Sequence, residues 1–357
     1  MQTLKVEERH LFDTRPTPTF PQTRFQGSKQ KLVDWIWEHT KSLKFNTVLD
    51  AFGGTGCIAY LFKTRGKQVT YNDLLKFNYL IGLGLIENDK VKLNQQDLEI
   101  LLMRHPHIHY RHFIEETFKD IYYTDEENQW LDIVVQNIHL LKNKYKEALA
   151  YFALFQACII KRPFNLFHRK NLYLRFRNVK RNFGNKATWD TPFEEHFLKF
   201  VDEANAAVFS NNKNNTALNL DVFALPEEYD LVYIDTPYLS NKKIGVNYLE
   251  FYHFLEGLAD YNYWRNKIDY DTKNKRFKST KSVWCDPVQI YDVFNKLFAK
   301  FKKSILVVSY RSDEIPAPQE LKSLLLKYKD NARLEVMENY KYVLSNDSTS
   351  ELLFIAT

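Results

Sequence analysis

The chain has 357 residues, 45% hydrophobic and 26% charged, the composition of a globular soluble protein with length enough for a sizeable core. Its three cysteines, Cys57, Cys158 and Cys285, are too few and too scattered for a disulfide framework or a cysteine zinc site, which points to a reducing compartment. A net charge of +6 leans toward a polyanionic partner, and 27 Phe, 22 Tyr and 6 Trp supply rings for core or for base stacking.

Residues 1–23 are polar and punctuated by proline, expected to be extended and flexible, and lack the apolar core of a signal peptide. Arg24-Phe25-Gln26-Gly27-Ser28-Lys29 leads into Leu32, Val33, Ile36 and Trp37 at helical spacing. A Gly-Ser-Lys turn before a helix offers N–H groups and an ammonium to an anion, although a plain exposed turn is the commoner outcome.

Residues 47–52 read as a strand, followed by Gly53-Gly54-Thr55-Gly56 and the helical start Cys57-Ile58-Ala59. A second strand at 68–71 ends in Asn72-Asp73, where an acid is placed for the two hydroxyls of a ribose. Strand, glycine turn, helix, strand and terminal acid in this order predict a nucleoside-containing cofactor. Gly54, Gly56 and Ala59 also satisfy a dinucleotide fingerprint, which keeps a nicotinamide open. Asp50, just before the glycines, is placed instead to hold the loop and attract a sulfonium ligand.

From 87 to 212 the pattern becomes helical. Thr124 and Glu127 form a capping-box signature ahead of the stripe Trp130, Leu131, Val134, Ile138 and Leu141. Residues 148–160 read as a buried helix, too short for a bilayer, which needs about 20 apolar residues. Residues 161–186 then carry nine cations and no acid, interleaved with Phe164, Phe167, Tyr173, Phe176 and Phe183. The alternation of Leu172, Leu174 and Phe176 with Tyr173, Arg175 and Arg177 predicts a strand of a basic hairpin, either one that meets phosphates and bases or a plain solvated basic face. The histidines at 105, 107, 109 and 112 lack a completing ligand set and Pro106 argues for a loop, so no metal centre is expected.

Residues 218–223, with Asp221 and Val222 near the end, return to the strand pattern. The apolar run 231–234 stops at Asp235-Thr236-Pro237-Tyr238, a carboxylate, stiff turn and ring at a strand end, suited to gripping a flat heterocycle or to mere punctuation. Residues 247–257 read as an aromatic helix, either a lid or plain core packing, 261–281 as a polar mobile loop, and 304–310 as a strand. Residues 333–340 and 351–357 close the chain as an antiparallel hairpin.

Asp50-Ala51-Phe52-Gly53-Gly54-Thr55-Gly56 together with Asp235-Thr236-Pro237-Tyr238 resembles the motifs of the Dam-type N6-adenine-specific DNA methyltransferases. Phe25 to Lys29 is similar to that family's N-terminal cofactor motif, Asn72-Asp73 to its ribose-binding acid, and the stretch from Lys161 stands where its DNA-reading hairpin lies. The resemblance covers most of 24–357 and is loosest between 87 and 160. It implies an α/β fold: a Rossmann-like methyltransferase sheet, mostly parallel with an antiparallel C-terminal edge. Segments 24–86 and 213–357 would form the catalytic domain, and 87–212 an inserted, mainly helical target-recognition domain with a basic hairpin at 161–186.

The implied cofactor is S-adenosylmethionine, held by Phe25, Lys29, Asp50, Phe52, Gly54, Gly56, Asp73, Asp221 and Val222. Catalysis would fall to Asp235, Thr236, Pro237 and Tyr238, and DNA contact to Arg162, Arg169, Lys170, Arg175, Arg177, Lys180 and Arg181. The implied reaction is site-specific methylation of adenine N6 in double-stranded DNA, with the base flipped out of the helix. A monomer is expected, in the cytoplasm of a bacterial or phage-infected cell and off the membrane, with a cognate restriction endonuclease as a candidate partner. The alternatives are N4-cytosine or RNA methylation and a catalytically silent DNA-binding module. Thr236 stands where the family usually has proline, keeping the backbone carbonyl and losing stiffness.

Overall fold

The structure is a computed structural model that describes residues 18–23, 25–177, 186–278, 282–340 and 349–357. Seven strands form one sheet: β1 (Thr47–Asp50), β2 (Gln68–Asn72), β3 (Thr216–Leu218), β4 (Leu231–Ile234), β5 (Ile305–Arg311), β6 (Ala332–Tyr340) and β7 (Thr349–Ala356), in the order β3-β2-β1-β4-β5-β7-β6. The first five are parallel, and β7 runs antiparallel to both β5 and β6. The strand order turns back between β1 and β4, so their carboxyl ends flank the crevice where such sheets bind ligands.

Successive strand residues feed opposite cores. Val48, Leu231 and Tyr233 face one cluster, while Leu49, Val232 and Ile234 face the other with the helix Ile290–Lys300 and Leu321. The first core runs without a break into the helices Asp125–Ile138, Lys144–Ile160 and Phe193–Ala207. Lys144–Ile160 is buried on all sides from Ala148 onward, as its continuous apolar sequence requires. The capping box joins Thr124 to Glu127.

Several expectations change. β3 ends at Leu218, and Val222–Ala224 is a single 3-10 turn started by the Asp221 side chain, which accepts from the Phe223 N–H. The polar segment after 261 is anchored: Trp264 is fully buried, and Ile268 pairs with Phe277 as an isolated antiparallel bridge. Residues 173–176 form a helix rather than a strand, because Leu172 and Arg175, three apart, both turn inward while Tyr173 and Phe176 stay exposed.

Candidate active site

The glycine turn is built around Tyr71. Its ring leaves no room for a side chain at Gly53, where an added Cβ would lie 2.0 Å from Cε2, and its hydroxyl donates to the Gly54 carbonyl at 2.7 Å. Gly56, at φ 79°, takes the left-handed conformation that opens the helix Cys57–Thr64. Asn72 ties the strand ends together, donating to the carbonyls of Ala51 and Leu220, each at 3.1 Å.

Three carboxylates converge on this crevice. Asp50 accepts from the Ala59 N–H at 3.1 Å through Oδ2, while its buried Oδ1 has no hydrogen-bond partner among the described residues. Burial first, then the charge of Asp235, pushes its carboxyl up to about 8. Asp73 accepts from the Gly54 N–H at 2.9 Å and from the Leu75 N–H at 2.8 Å, and burial lifts it above the ordinary carboxylate range. Asp235, at the end of β4, binds Lys29 Nζ at 3.0 Å and the Tyr238 hydroxyl at 3.0 Å, both through Oδ1. Burial raises it and Lys29 pulls it back.

Lys29 is buried, and burial alone would discharge it. Asp235 and Glu351, the latter 3.3 Å away, outweigh that cost and hold the ammonium well above its ordinary value. Glu351, on β7, is fully buried and accepts from the Ser309 hydroxyl at 2.5 Å. Sequence reasoning missed it, although an acid opening the apolar run 352–356 was a readable sign.

These groups line or back one cavity of about 390 Å³. Phe25, Lys29, Asp50, Phe52, Gly54, Asp73, Asp221, Asp235 and Pro237 line it. So do Tyr248, Leu249 and Tyr252 of the helix Tyr248–Ala259, together with Ser282, Val283 and Trp284. Phe25 stacks on Phe77 at 5.9 Å, which fixes the N-terminal turn over the cavity. Gly56 and Thr236 stand outside the lining, the latter buried, and Val222 packs into the second core.

Tyr238 also departs from expectation. Its ring is 5% exposed and does not line the cavity, and its hydroxyl is held by Asp235 and Lys29. Tyr248 and Tyr233 both line the cavity and feel the charge of Asp235, Tyr248 from the helix wall and Tyr233 from within β4.

The basic stretch divides. Arg162 is buried over the Tyr122 ring, donating to the carbonyls of Tyr122, Leu166 and Arg169, and burial lowers it to about 10. Arg175 is buried against Glu127, as is Lys161 at 2.9 Å. Neither arginine presents its charge to a duplex, since interior carbonyls and Glu127 consume it. Arg169, Lys170 and Arg177 are exposed, and Lys180 and Arg181 lie outside the described residues.

A buried knot fastens this segment to the cavity wall. The Tyr122 hydroxyl meets the carbonyls of Phe167 and Asn274 at 2.6 and 2.9 Å and His253 Nε2 at 2.9 Å, while Asn274 donates to the Phe167 carbonyl. Burial lowers His253 to about 3, so the knot is uncharged. Among the described residues no three His, Cys, Asp or Glu side chains gather as a metal would need, and His105 is engaged with the Ile100 carbonyl. No helix there is long and apolar enough to cross a membrane.

The sequence pattern of the D12 class N6 adenine-specific DNA methyltransferases matches residues 25–312. The chain is 30% identical over 351 residues to the type II methyltransferase M2.HphI of Haemophilus parahaemolyticus, covering 95% of this chain and 98% of that protein. It is 24% identical over 315 residues to the type II methyltransferase M.NlaIII of Neisseria lactamica, covering 85% and 87%. Against the type II methyltransferase M.FokI of Planomicrobium okeanokoites it is 27% identical over 360 residues, covering 90% of this chain and 52% of that longer protein. The chain belongs to the D12 class N6 adenine-specific DNA methyltransferases, enzymes that move a methyl group from S-adenosylmethionine to adenine N6 in DNA.

Proposed function

We propose that Asp235 is the group that grips the target amino nitrogen, and that the cavity around it receives a flipped adenine beside the cofactor. The observation that carries this reading is the position of Asp235: at a strand end in the crevice, lining the cavity, with both of its bonds on Oδ1. Oδ2 is left to accept one N6–H, and the backbone carbonyl of Thr236 the other. Proline is not needed for that, because Thr236 is buried and the turn is braced by Val246, whose N–H donates to the Tyr238 carbonyl at 2.9 Å.

The lone pair of an exocyclic amine is delocalised into the purine ring. Two acceptors fixed on its N–H bonds favour a pyramidal nitrogen with the pair directed at the methyl donor, a stabilisation by preorganised dipoles. Held by Phe25, Asp50 and Asp73, S-adenosylmethionine would supply an electrophilic sulfonium methyl to that lone pair, the bonding electrons of the broken sulfur–carbon bond staying on sulfur. The N6 proton then departs to Asp235 or solvent. Lys29 and the Tyr238 hydroxyl hold the carboxylate still, and Tyr248 takes the stacking face.

The cofactor fits the remaining residues. The unpartnered Oδ1 of Asp50 suits a cationic end of the ligand, and Asp73 has lone pairs left for ribose hydroxyls. Phe25, Phe52 and Asp221 complete the walls, while Gly54 and Gly56 shape the turn and Val222 supports it from the core. Exposed Arg169, Lys170 and Arg177 contact phosphates. Across the knot, Lys273, Lys275 and Lys278 offer a second basic wall.

Under this reading, 24–86 with 213–357 acts as the catalytic unit and 87–212 as the recognition unit. The protein works as a monomer in a bacterial or phage-infected cytoplasm, on duplex DNA, with a cognate endonuclease of the same specificity. The type II naming of the relatives supports that partnership. Asp235→Ala is expected to abolish N6-methyladenine in digests of treated DNA while cofactor affinity stays near the parent value. An active variant removes the assignment.

A further inference from the structure

We infer that Glu351 is a positioning residue for methyl transfer: it anchors Lys29 against Asp235 and keeps the charge of that buried cluster net negative. It lies beyond the residues the family pattern covers, on the antiparallel β7, next to the strand that continues the catalytic crevice. The inference rests on the reading of Asp235 given above.

A carboxylate with no exposure at all, just ahead of the apolar run 352–356, is held by Ser309 at 2.5 Å and Lys29 at 3.3 Å. Packing alone would be better served by a leucine at such a site. Lys29 therefore stands between two carboxylates; burial raises Glu351 and the Lys29 charge pulls it back, and with both acids ionised the group of three carries one net negative charge. Methyl transfer brings positive charge onto N6, next to Asp235, and a cluster of net negative charge favours that arrival. With Glu351 neutral, Lys29 would cancel Asp235 fully and would lose the contact that keeps its ammonium on Oδ1.

The titratable and charged groups facing this cluster come from every element around it. They are Lys29 from the N-terminal turn, Asp50 from the end of β1, Tyr233, Asp235 and Tyr238 from β4 and its turn, Glu314 and Arg311 from the end of β5, and Tyr248 from the cavity wall. Removing an anion lowers the pKa of both neighbours: Asp235 loses a repelling charge and Lys29 loses an attracting one. A rate profile bounded by ionised Asp235 below and charged Lys29 above must therefore move to lower pH.

The test is single-turnover methylation of unmethylated duplex DNA by Glu351→Gln, which keeps shape and hydrogen bonding, across pH at saturating S-adenosylmethionine. The expected result is a maximal rate lower by about tenfold and a profile displaced downward by about one pH unit, with cofactor affinity unchanged. A parental rate overturns the inference, and so does a slower enzyme with an unmoved profile, which would mark Glu351 as structural only. Ser309→Ala loosens Glu351 without removing its charge. It is expected to slow the reaction less with no displacement of the profile, and it decides the matter should Glu351→Gln fail to fold: a parental rate for Ser309→Ala then overturns the inference. Asp235→Asn run alongside separates the two readings, since turnover by that variant would sink the assignment of Asp235 itself.

Discussion

Arg175 grips Glu127 with both of its terminal nitrogens, at 2.6 and 2.7 Å, and the same glutamate caps the helix that starts at Asp125. One carboxylate thus closes a helix end and fixes a stretch of chain that its composition marks as a polyanion-binding surface. Removing one partner of such a buried pair leaves the other uncompensated. Arg175→Ala is expected to lower unfolding free energy by about 3–5 kcal/mol, measured by denaturant titration.

The exposed cations behave in the opposite way. Arg169→Ala and Lys170→Ala are each expected to change stability by no more than about 0.5 kcal/mol. Each should lower DNA affinity with little dependence on sequence and reduce the salt slope of binding by about one. Binding isotherms over a range of salt concentrations check this, and an unchanged slope would remove that residue from the interface.

Asp50 links pH to both stability and cofactor binding. Its carboxyl is near 8 in the fold and 3.8 ordinarily, so between those values the folded chain holds a proton that the unfolded chain does not. Its stabilising contribution is complete below about 4 and is lost as pH rises through about 8. The cofactor-free protein should melt at falling temperatures over that window, with a shallower fall for Asp50→Asn. A cation bound at Oδ1 favours the ionised form, so binding at pH 7 should release a proton, visible as a buffer-dependent enthalpy in calorimetry. Asp50→Asn should weaken binding by roughly ten- to a hundredfold, the worth of a charged hydrogen bond.

Lys29→Met leaves Asp235 and Glu351 without their shared cation. Losing it raises the Asp235 pKa further, so a smaller ionised fraction is present at neutral pH. The methylation rate at pH 7 is expected to drop on the order of 10²-fold and to recover partly as pH increases. A rate equally low at every pH would contradict this account of the lysine.

Gly53→Ala tests the turn. Its Cβ would lie 2.0 Å from the Tyr71 ring, and that ring is stopped on another side by Gly82, where an added Cβ would fall 2.2 Å away. A loss of about 1–3 kcal/mol in stability is expected, with weaker cofactor binding, because the ring cannot retreat. Thermal melts with and without S-adenosylmethionine measure both.

The legible parts were those whose physics is local. Glycines, the acids at strand ends, the capping box of Thr124 and Glu127 and the apolar run of Lys144–Ile160 all follow from neighbours in sequence, and so does the closing antiparallel hairpin. Illegible parts depend on partners distant along the chain. Nothing near Arg162 or Arg175 announces that interior carbonyls and Glu127 will absorb their charge, so alternation in residues 172–177 read as a strand. Tyr238 reads in sequence as a stacking ring because its hydroxyl's partner, Lys29, comes from a segment 209 residues earlier in the chain. Glu351 takes its role from the pairing of β7 with β5, which nothing near it in sequence announces.

The knot of Tyr122, His253, Asn274 and the Phe167 carbonyl contains no charge, unlike the basic surface in front of it. Dissolved ions screen phosphate contacts steeply and leave buried neutral hydrogen bonds almost untouched. Added salt should therefore strip the duplex from this enzyme while the wall of its reaction chamber keeps its shape, and lowering the salt again should restore turnover without a refolding lag.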